Sequence, residues 1–424
     1  MTQAHILPSQ SLHTFDNGLR LLVDPMPGLK TFALSALIYG GARFEDESQT
    51  GWAHLLEHMV FKGAGGRNAR QLAEAIEHKG GSINASTGYE HTRFEVRGLN
   101  SLMPLAFEVV ADLMFRPVLD GEELEREKKV IEQEILEAYD TPDDHVFDLL
   151  QGAMFSGQSL GRPILGSKKS LKPAGPNVLR AFSQGLYAPR QIVICVSGGI
   201  DAQEVLTAAQ TAMDGVAAYD SLPAPAPLRF TAEHAVQTRR IEQANVALAW
   251  QGLSRYDRDI IPLRLFAEIL GGGMASRLFQ EAREARGLAY SIDAWSTPYR
   301  DGGVFGIYAG CAPKDAEPLI ALVRDVSAGL AADPKADELE RAKAQFMTSL
   351  FLNHEGAASR CGAFASQVST FGKVFTLDEV AAEINRVTRD DLMRVGQMIT
   401  AQKACASAVL GPKTVAAAAA ALAA

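Results

Sequence analysis

Two short segments of this chain occur twice in the same order, and this repetition constrains the fold more than any other feature. The segment Ala36–Gly41 (ALIYGG) resembles Ala247–Gly252 (ALAWQG), and Glu123–Glu127 (ELERE) resembles Glu338–Ala342 (ELERA). Such internal similarity is typical of a duplicated domain. Because 424 residues are too many for one compact domain, we predict two homologous domains.

The first half begins with a predicted β-hairpin and continues with blocks of strand and helix. The segments Ser11–Phe15 and Arg20–Asp24 flank an Asn-Gly turn, which favours two antiparallel strands. A helix is predicted at about Thr50–Phe61, and a long charged helix over Gly121–Tyr139. Mixed blocks of this kind predict an α+β fold in which two homologous α/β-layered domains each pack a mixed sheet with helices.

A segment rich in proline and alanine separates the two halves. Residues 217–229 contain the run SLPAPAPL, which is typical of an interdomain linker. We therefore predict an N-terminal domain over residues 1–216 and a C-terminal domain over residues 230–424. The alanine-rich tract at residues 416–424 is predicted to be a helix end without functional weight.

The composition excludes several classes of protein. A hydrophobic fraction of 47% with 21% charged residues is ordinary for a soluble globular protein. The net charge of −9 argues against nucleic acid as a partner. The four cysteines lie far apart without a CxxC pair, as expected for reduced thiols in the cytoplasm. No secretory signal and no transmembrane-length apolar run is visible, so we expect a cytoplasmic protein without membrane insertion.

The segment around His54 has the residue types and spacing of a metal site. On a helix, His54, Glu57 and His58 share one face because they occupy positions i, i+3 and i+4. Two neutral imidazoles plus one further carboxylate leave a zinc ion with an open fourth position, as in catalytic sites. The order His-x-x-Glu-His is the inverzincin pattern. The alternative is a chance match, in which hydrogen-bonded core histidines happen to fall at this spacing.

The long charged helix offers further carboxylates. Glu127 and Glu134 are two helical turns apart and therefore share a face. Taken alone, a helix with this many charged residues usually exposes their side chains to solvent. Beside the histidine helix, one carboxylate facing the core would complete a His₂Glu site, and a second would accept a hydrogen bond from a ligand imidazole.

Together these residues resemble the pitrilysin/insulinase metallopeptidases, and the similarity extends over nearly the whole chain. In this family the pattern is His-x-x-Glu-His, then a glutamate 76 residues after the second histidine and another glutamate seven residues earlier. The resemblance implies one Zn²⁺ per chain held by His54, His58 and Glu134. It also implies that Glu57 is the general base and Glu127 a supporting carboxylate.

The same resemblance implies residues that bind substrate. The segment Gly80–Thr87 resembles the edge strand that holds substrate in the family, which makes Asn84 and Ala85 candidates for contacts with the substrate backbone. Asn84 is also compatible with a simple role in a turn. Arg283 and Tyr290 have the spacing of the family's arginine and tyrosine pair, which binds substrate and stabilises the oxyanion; surface charge is the alternative for Arg283.

The second half lacks the proposed metal ligands. Carrying the offsets of the two repeated segments forward sets apolar or small residues opposite all four metal-site positions of the first half: Leu265, Ile269, Ala342 and Ser349. This predicts one metal per chain.

We therefore expect a zinc-dependent endopeptidase that cleaves short or unfolded polypeptides within a closed chamber. The chain has half the length of the large family members, so a homodimer is expected to complete the chamber, with a heterodimer of related subunits as the alternative. A different class of function also remains open, namely a non-catalytic scaffold or partner subunit of a heterodimeric peptidase. Such family members typically lack part of the metal motif, whereas this chain retains it. Hydrolysis of a non-peptide amide is a further alternative.

Overall fold

The computed structural model describes residues 10–415. The alanine-rich tract predicted to be a helix end lies outside these residues. No helix among the described residues is long and apolar enough to cross a membrane.

Thirteen strands are present in the described part of the chain. In chain order they are β1 Ser11–Thr14, β2 Arg20–Pro25, β3 Thr31–Ile38, β4 Gly63–Ala64, β5 Arg67–Asn68, β6 Ser82–Thr87, β7 Thr92–Leu99, β8 Ile192–Gly198, β9 His234–Thr238, β10 Ala244–Gly252, β11 Ala289–Pro298, β12 Gly303–Cys311 and β13 Ala406–Gly411.

Fourteen α-helices lie between these strands, again among the described residues. They are α1 Trp52–Val60, α2 Ala69–Glu77, α3 Met103–Phe115, α4 Gly121–Asp140, α5 Pro142–Met154, α6 Lys168–Leu171, α7 Pro176–Leu186, α8 Ala202–Met213, α9 Ile260–Gly271, α10 Ala316–Ala332, α11 Ala336–Glu355, α12 Ala357–Phe371, α13 Leu377–Arg386 and α14 Arg389–Thr400.

The first compact unit is built on a six-stranded mixed sheet. It contains the described residues up to Ile135 together with Pro163–Pro225 and Leu350–Leu377. The strand order is β1-β2-β8-β3-β7-β6, with β2 and β8 parallel and the other pairs antiparallel. Strand β6 therefore lies at one edge of the sheet.

Both faces of this first sheet are apolar and covered. On β3, Leu34 points into a core that includes α1 and α3, whereas Leu37 points to the other face. That other face packs against α12 through Phe364 and Val368. A strand that is buried on both faces consists almost entirely of apolar residues, which explains the composition of β3 and β8.

The second unit repeats this arrangement with five strands. It contains Leu136–Arg162, Ala226–Ser349 and the described residues from Asp378 onward. The strand order is β11-β12-β10-β13-β9, with β9 and β13 parallel. Helices α9, α10 and α14 supply one core, and α5 packs against β10, β13 and β9. The predicted α+β class with two similar layered halves is confirmed.

The units differ from the predicted domains by an exchange of helices. Helix α12 lies within the predicted C-terminal domain but belongs to the first unit, and α5 lies within the predicted N-terminal domain but belongs to the second unit. The change of unit after Pro225 falls inside the predicted linker, which has neither helix nor strand. The physical reason for the exchange is that each sheet has two apolar faces. Helices from the same half of the sequence cover one face, and the exchanged helix covers the other.

A buried ion pair anchors the exchanged helix α12. The carboxylate of Asp24 on β2 is fully buried and accepts hydrogen bonds from Arg360 Nε at 2.6 Å and Nη2 at 2.8 Å. It also accepts one from the Gln10 amide at 2.7 Å. A buried carboxylate requires such partners, because it loses its hydration on folding.

We predict that Arg360→Leu lowers the free energy of unfolding by about 3–5 kcal/mol, because it leaves the Asp24 carboxylate buried without its cation. Urea unfolding monitored by circular dichroism measures the change, and hydrogen exchange of the α12 amides locates it. The matched control is Arg126→Leu, which removes an exposed pair with Glu123 and should cost less than about 1 kcal/mol. Equal losses in both variants would contradict the anchoring role of Arg360.

Candidate metal centre

The start of helix α1 is held from outside the helix. Gly51 precedes it with a φ of 91°, and a Cβ there would lie 2.7 Å from Gly166 Cα. A capping side chain is therefore excluded at this position. Instead the buried carboxylate of Glu45 accepts hydrogen bonds from the Gly51 and Ala53 amides at 2.9 and 2.7 Å. This contact satisfies two amides of the first turn and sets the position of α1.

The two faces of α1 have different functions. One face is fully buried in the core of the first unit through Leu55, Leu56, Met59 and Val60. The other face carries His54, Glu57 and His58, which are only partly buried. The apolar face thus fixes the rotation of α1, and the rotation presents all three polar side chains on one side.

The structure brings the three predicted ligands together. Glu134 Oε2, from α4, lies 3.9 Å from His54 Nε2 and 3.6 Å from His58 Nε2. One ligand atom from each residue lies within 4.8 Å of the others. Among the described residues, this is the one such group of histidine, cysteine and acidic side chains.

This donor set fits a zinc ion. Tetrahedral zinc with bonds of about 2.0–2.2 Å spaces its ligand atoms roughly 3.4 Å apart, which is close to the spacing found here. Burial, and then the neighbouring His58, lower the pKa of His54 to about 4, so His54 is the neutral imidazole that a metal requires. His54 Nδ1 is buried and has no hydrogen-bond partner among the described residues.

Glu127 orients the imidazole of His58 through Nδ1, the ring nitrogen that is not proposed to bind metal. A carboxylate only accepts hydrogen bonds, so His58 Nδ1 carries the proton that it donates to Glu127 Oε2 at 3.0 Å. This tautomer leaves His58 Nε2 free to bind metal and increases its basicity. The other oxygen of the buried Glu127 lies 2.7 Å from Lys62 Nζ, so the carboxylate has a cation as well as an imidazole as partner.

Glu57 is a carboxylate beside the ligands. Its Oε2 accepts a hydrogen bond from Thr87 Oγ1 at 2.5 Å. Burial raises the pKa of Glu57, and the nearby Glu134 raises it further, whereas Thr87 and His58 oppose the shift. A raised pKa brings a carboxylate closer to the range in which it can accept and return a proton near neutral pH.

The predicted substrate strand is the edge strand β6. Its only partner strand among the described residues is β7, which pairs Asn84 with Glu95 and Ala85 with Phe94. Side chains alternate between the two faces of a strand. Ala85 therefore lies on the same face as Thr87, and the exposed Asn84 lies on the opposite face.

Arg283 and Tyr290 lie together in the second unit. The Arg283 guanidinium carbon is 5.5 Å from the centre of the Tyr290 ring. Tyr290 is 74% exposed and falls where the pairing of β11 with β12 shifts between Ala289 and Ser291. Such bulges redirect a side chain, so the exposure of this tyrosine comes from an irregularity of the strand.

In the second unit, apolar or small residues occupy the positions that correspond in sequence to the proposed ligands and to Glu127. Leu265 and Ile269 on α9 are almost fully buried in its core. Ala342 is also buried, and Ser349 lies on α11. The offset that sets Leu265 opposite His54 sets Glu268 opposite Glu57, so a carboxylate persists there without imidazoles beside it.

Three residues of the centre are missing from the sequence-based prediction: Glu45, Lys62 and Thr87. Lys62 had a usable signal, because it lies one turn beyond His58 and the helical face continues toward it. Glu45 and Thr87 had none, since they reach α1 from a preceding turn and from a strand.

Comparisons with known proteins agree in both halves. The model of insulinase (peptidase family M16) matches residues 26–168, and that of the peptidase M16 inactive domain matches residues 174–346. An "uncharacterized zinc protease" of Rickettsia bellii is 32% identical over 397 residues, covering 93% of this chain and 96% of that protein. The Bacillus subtilis "uncharacterized zinc protease YmxG" is 34% identical over 376 residues, covering 88% of this chain and 92% of that protein.

Solved structures show the same fold. A protease from Helicobacter pylori superposes with a TM-score of 0.90 at 21% identity, covering 96% of this chain and all (100%) of that one. A peptidase M16 inactive domain from Pseudomonas fluorescens gives a TM-score of 0.86 at 20% identity, with 95% and 98% covered. Because both family models match in order and relatives at 32% and 34% identity align over most of their length, the chain belongs to the insulinase family, peptidase family M16, as a half-length member.

Proposed function

We propose that this protein is a zinc-dependent endopeptidase. The observation that carries the proposal is one cluster in which His54, His58 and Glu134 fit zinc while Glu57 stands beside them without belonging to the ligand set. A structural zinc site needs four ligands and no such carboxylate, whereas a hydrolytic site needs an open position and a base. Two relatives carry the name "uncharacterized zinc protease", which points the same way.

The residues of the first unit divide the chemistry between them. A bound zinc ion would lower the pKa of a water molecule and would polarise the scissile carbonyl. Glu57 takes a proton from the attacking water and returns it to the leaving amine. Glu127 keeps His58 in the tautomer that binds metal, and Lys62 keeps Glu127 in place.

Arg283 and Tyr290 are proposed to act on the substrate carbonyl. A phenol and a guanidinium both donate hydrogen bonds, and the exposure of Tyr290 leaves its hydroxyl accessible to a ligand. Donors placed where negative charge develops stabilise a tetrahedral oxyanion. The pair lies within the second unit, and we propose that it acts at the metal centre.

The substrate is proposed to add to β6 as a further strand. Strand addition uses main-chain hydrogen bonds and therefore reads backbone more than side chains. We therefore propose that the substrates are short or unfolded polypeptides that are enclosed in a chamber. The preference of the enzyme for their sequence is proposed to be relaxed. Because one chain carries both the metal cluster and the Arg283/Tyr290 pair, we propose a homodimer; a heterodimer with a related subunit is the alternative.

We predict that the purified protein alone cleaves a quenched, unstructured peptide and that a zinc chelator abolishes cleavage. Glu57→Gln should lower kcat at least about 1,000-fold, because the water loses its proton acceptor, while bound zinc measured by atomic absorption stays at the parent level. The matched control is Glu268→Gln on α9, which should retain activity. A Glu57→Gln variant within tenfold of the parent would remove Glu57 as the base. Absence of cleavage by zinc-loaded protein would favour a non-catalytic scaffold or a missing partner subunit.

We predict a graded loss of zinc affinity at the cluster. His58→Ala and Glu134→Ala each remove a ligand and should abolish stoichiometric binding in a chelator competition titration. Glu127→Gln keeps the ligands but loses the charged partner of His58, so affinity should fall about 10- to 100-fold. His78→Ala, an exposed histidine just after α2, is the control and should change nothing. Full zinc occupancy in either ligand variant would refute the ligand set.

We predict that Tyr290→Phe lowers kcat about 100-fold with bound zinc unchanged, since it removes one oxyanion donor and little volume. Steady-state cleavage of the same peptide measures kcat and KM separately, and KM should stay within threefold. Tyr256→Phe, at another exposed tyrosine of the second unit, is the control. An unaltered kcat in Tyr290→Phe would exclude this residue from transition-state stabilisation.

A further inference from the structure

We propose that Thr87 is a positioning residue that fixes the general base Glu57 to the strand that receives the substrate. The inference rests on the proposed peptidase function and adds a residue that the family resemblance leaves without a role. Its basis is the hydrogen bond from Thr87 Oγ1 to Glu57 Oε2 at 2.5 Å.

Among the described residues, this bond is the one hydrogen bond that restrains the Glu57 side chain. Glu57 has three rotatable bonds and stands at the partly buried face of α1. No other hydrogen bond of its carboxylate is present among the described residues. Outer partners of this kind hold a reacting group within the small tolerance that catalysis requires. Without Thr87, the carboxylate would sample several rotamers beside the metal ligands.

The position of Thr87 links this restraint to substrate. Thr87 ends β6, and its pairing with Thr92 on β7 fixes its register in the sheet. Ile83 and Ala85 share its face and pack against the core of the first unit, so the strand cannot rotate. A peptide added along β6 takes its register from the same strand. Base and scissile bond are thus aligned through one rigid element.

The hydroxyl also selects the oxygen that carries the proton. Thr87 donates to Oε2 whether Glu57 is a carboxylate or a carboxylic acid, because a carbonyl oxygen accepts as well. While Thr87 donates to Oε2, Oε1 is the oxygen of Glu57 that is left to accept a proton from water. Thr87 Oγ1 also lies 3.5 Å from the Ala53 carbonyl oxygen, farther than the 2.5 Å to Glu57 Oε2, so the carboxylate is its main acceptor.

Three variants test the inference. Thr87→Val removes the hydroxyl at nearly constant shape and should lower kcat about 10- to 100-fold. Its KM, zinc affinity and melting temperature should stay within error of the parent values. Thr87→Ser keeps the donor and should restore kcat to within about threefold. The control is Thr207→Val, which removes an exposed hydroxyl from α8, where it donates a hydrogen bond to the Gln203 carbonyl, and should leave all four quantities unchanged.

Crystal structures of zinc-loaded parent and Thr87→Val separate this inference from the proposed function. We expect an ordered Glu57 carboxylate in the parent and a displaced or multiply occupied one in Thr87→Val, whether or not a peptide is cleaved. An unmoved Glu57 would overturn the positioning role, as would a kcat within threefold of the parent. A rise in KM or a loss of zinc parallel to the fall in kcat would show a merely structural role. An inactive parent with a displaced Glu57 in the variant would contradict the peptidase proposal and leave the positioning role supported.

Discussion

The apolar character of both faces of each sheet is the constraint on which the rest of the structure depends. A sheet with one apolar face needs one layer of helices, but the central strands here present apolar side chains to both sides. The second layer comes from the other half of the sequence, as α12 on the first sheet and α5 on the second. The candidate metal centre is therefore built on a sheet whose other face is covered by residues far away in sequence.

The sequence predicted what depends on local periodicity. The helix expected over Thr50–Phe61 is observed over Trp52–Val60, and α4 contains both glutamates on one face, because spacing along a helix determines direction. The exchange of α5 and α12 was not predictable in this way. An amphipathic helix shows that it has an apolar face, but not which of two similar sheets it covers.

The contacts that support the site show the same difference between what local patterns predict and what packing determines. The pairing of His54 with His58 as candidate ligands followed from helical spacing, and the choice of Glu134 from the family resemblance. Thr87, by contrast, reaches Glu57 across 30 residues and from a different element. Such a contact exists only once α1 and β6 are packed together. It is therefore a property of the tertiary structure, as is the capping of α1 by Glu45. Local patterns thus identify the candidate reactive groups, and packing identifies the groups that hold them.

The candidate ligands of the first unit replace residues that pack in the core of the second. In α1 the pKa of His54 is lowered by burial, and its Nδ1 has no partner among the described residues. At the matching positions of α9, Leu265 and Ile269 contribute apolar packing instead. Buried polar groups that lack partners destabilise a fold, and a bound metal offsets this because ligand binding stabilises only the folded state. The second unit does not carry this cost at these two positions, although among the described residues it has buried hydroxyls without partners elsewhere, for example on Ser276 and Ser327. Its Tyr290 side chain is largely exposed, so packing does not require it. The contrast between the units is therefore local: the candidate ligands replace apolar packing at two positions of α1, whereas the candidate substrate residues Arg283 and Tyr290 lie at the surface of the second unit.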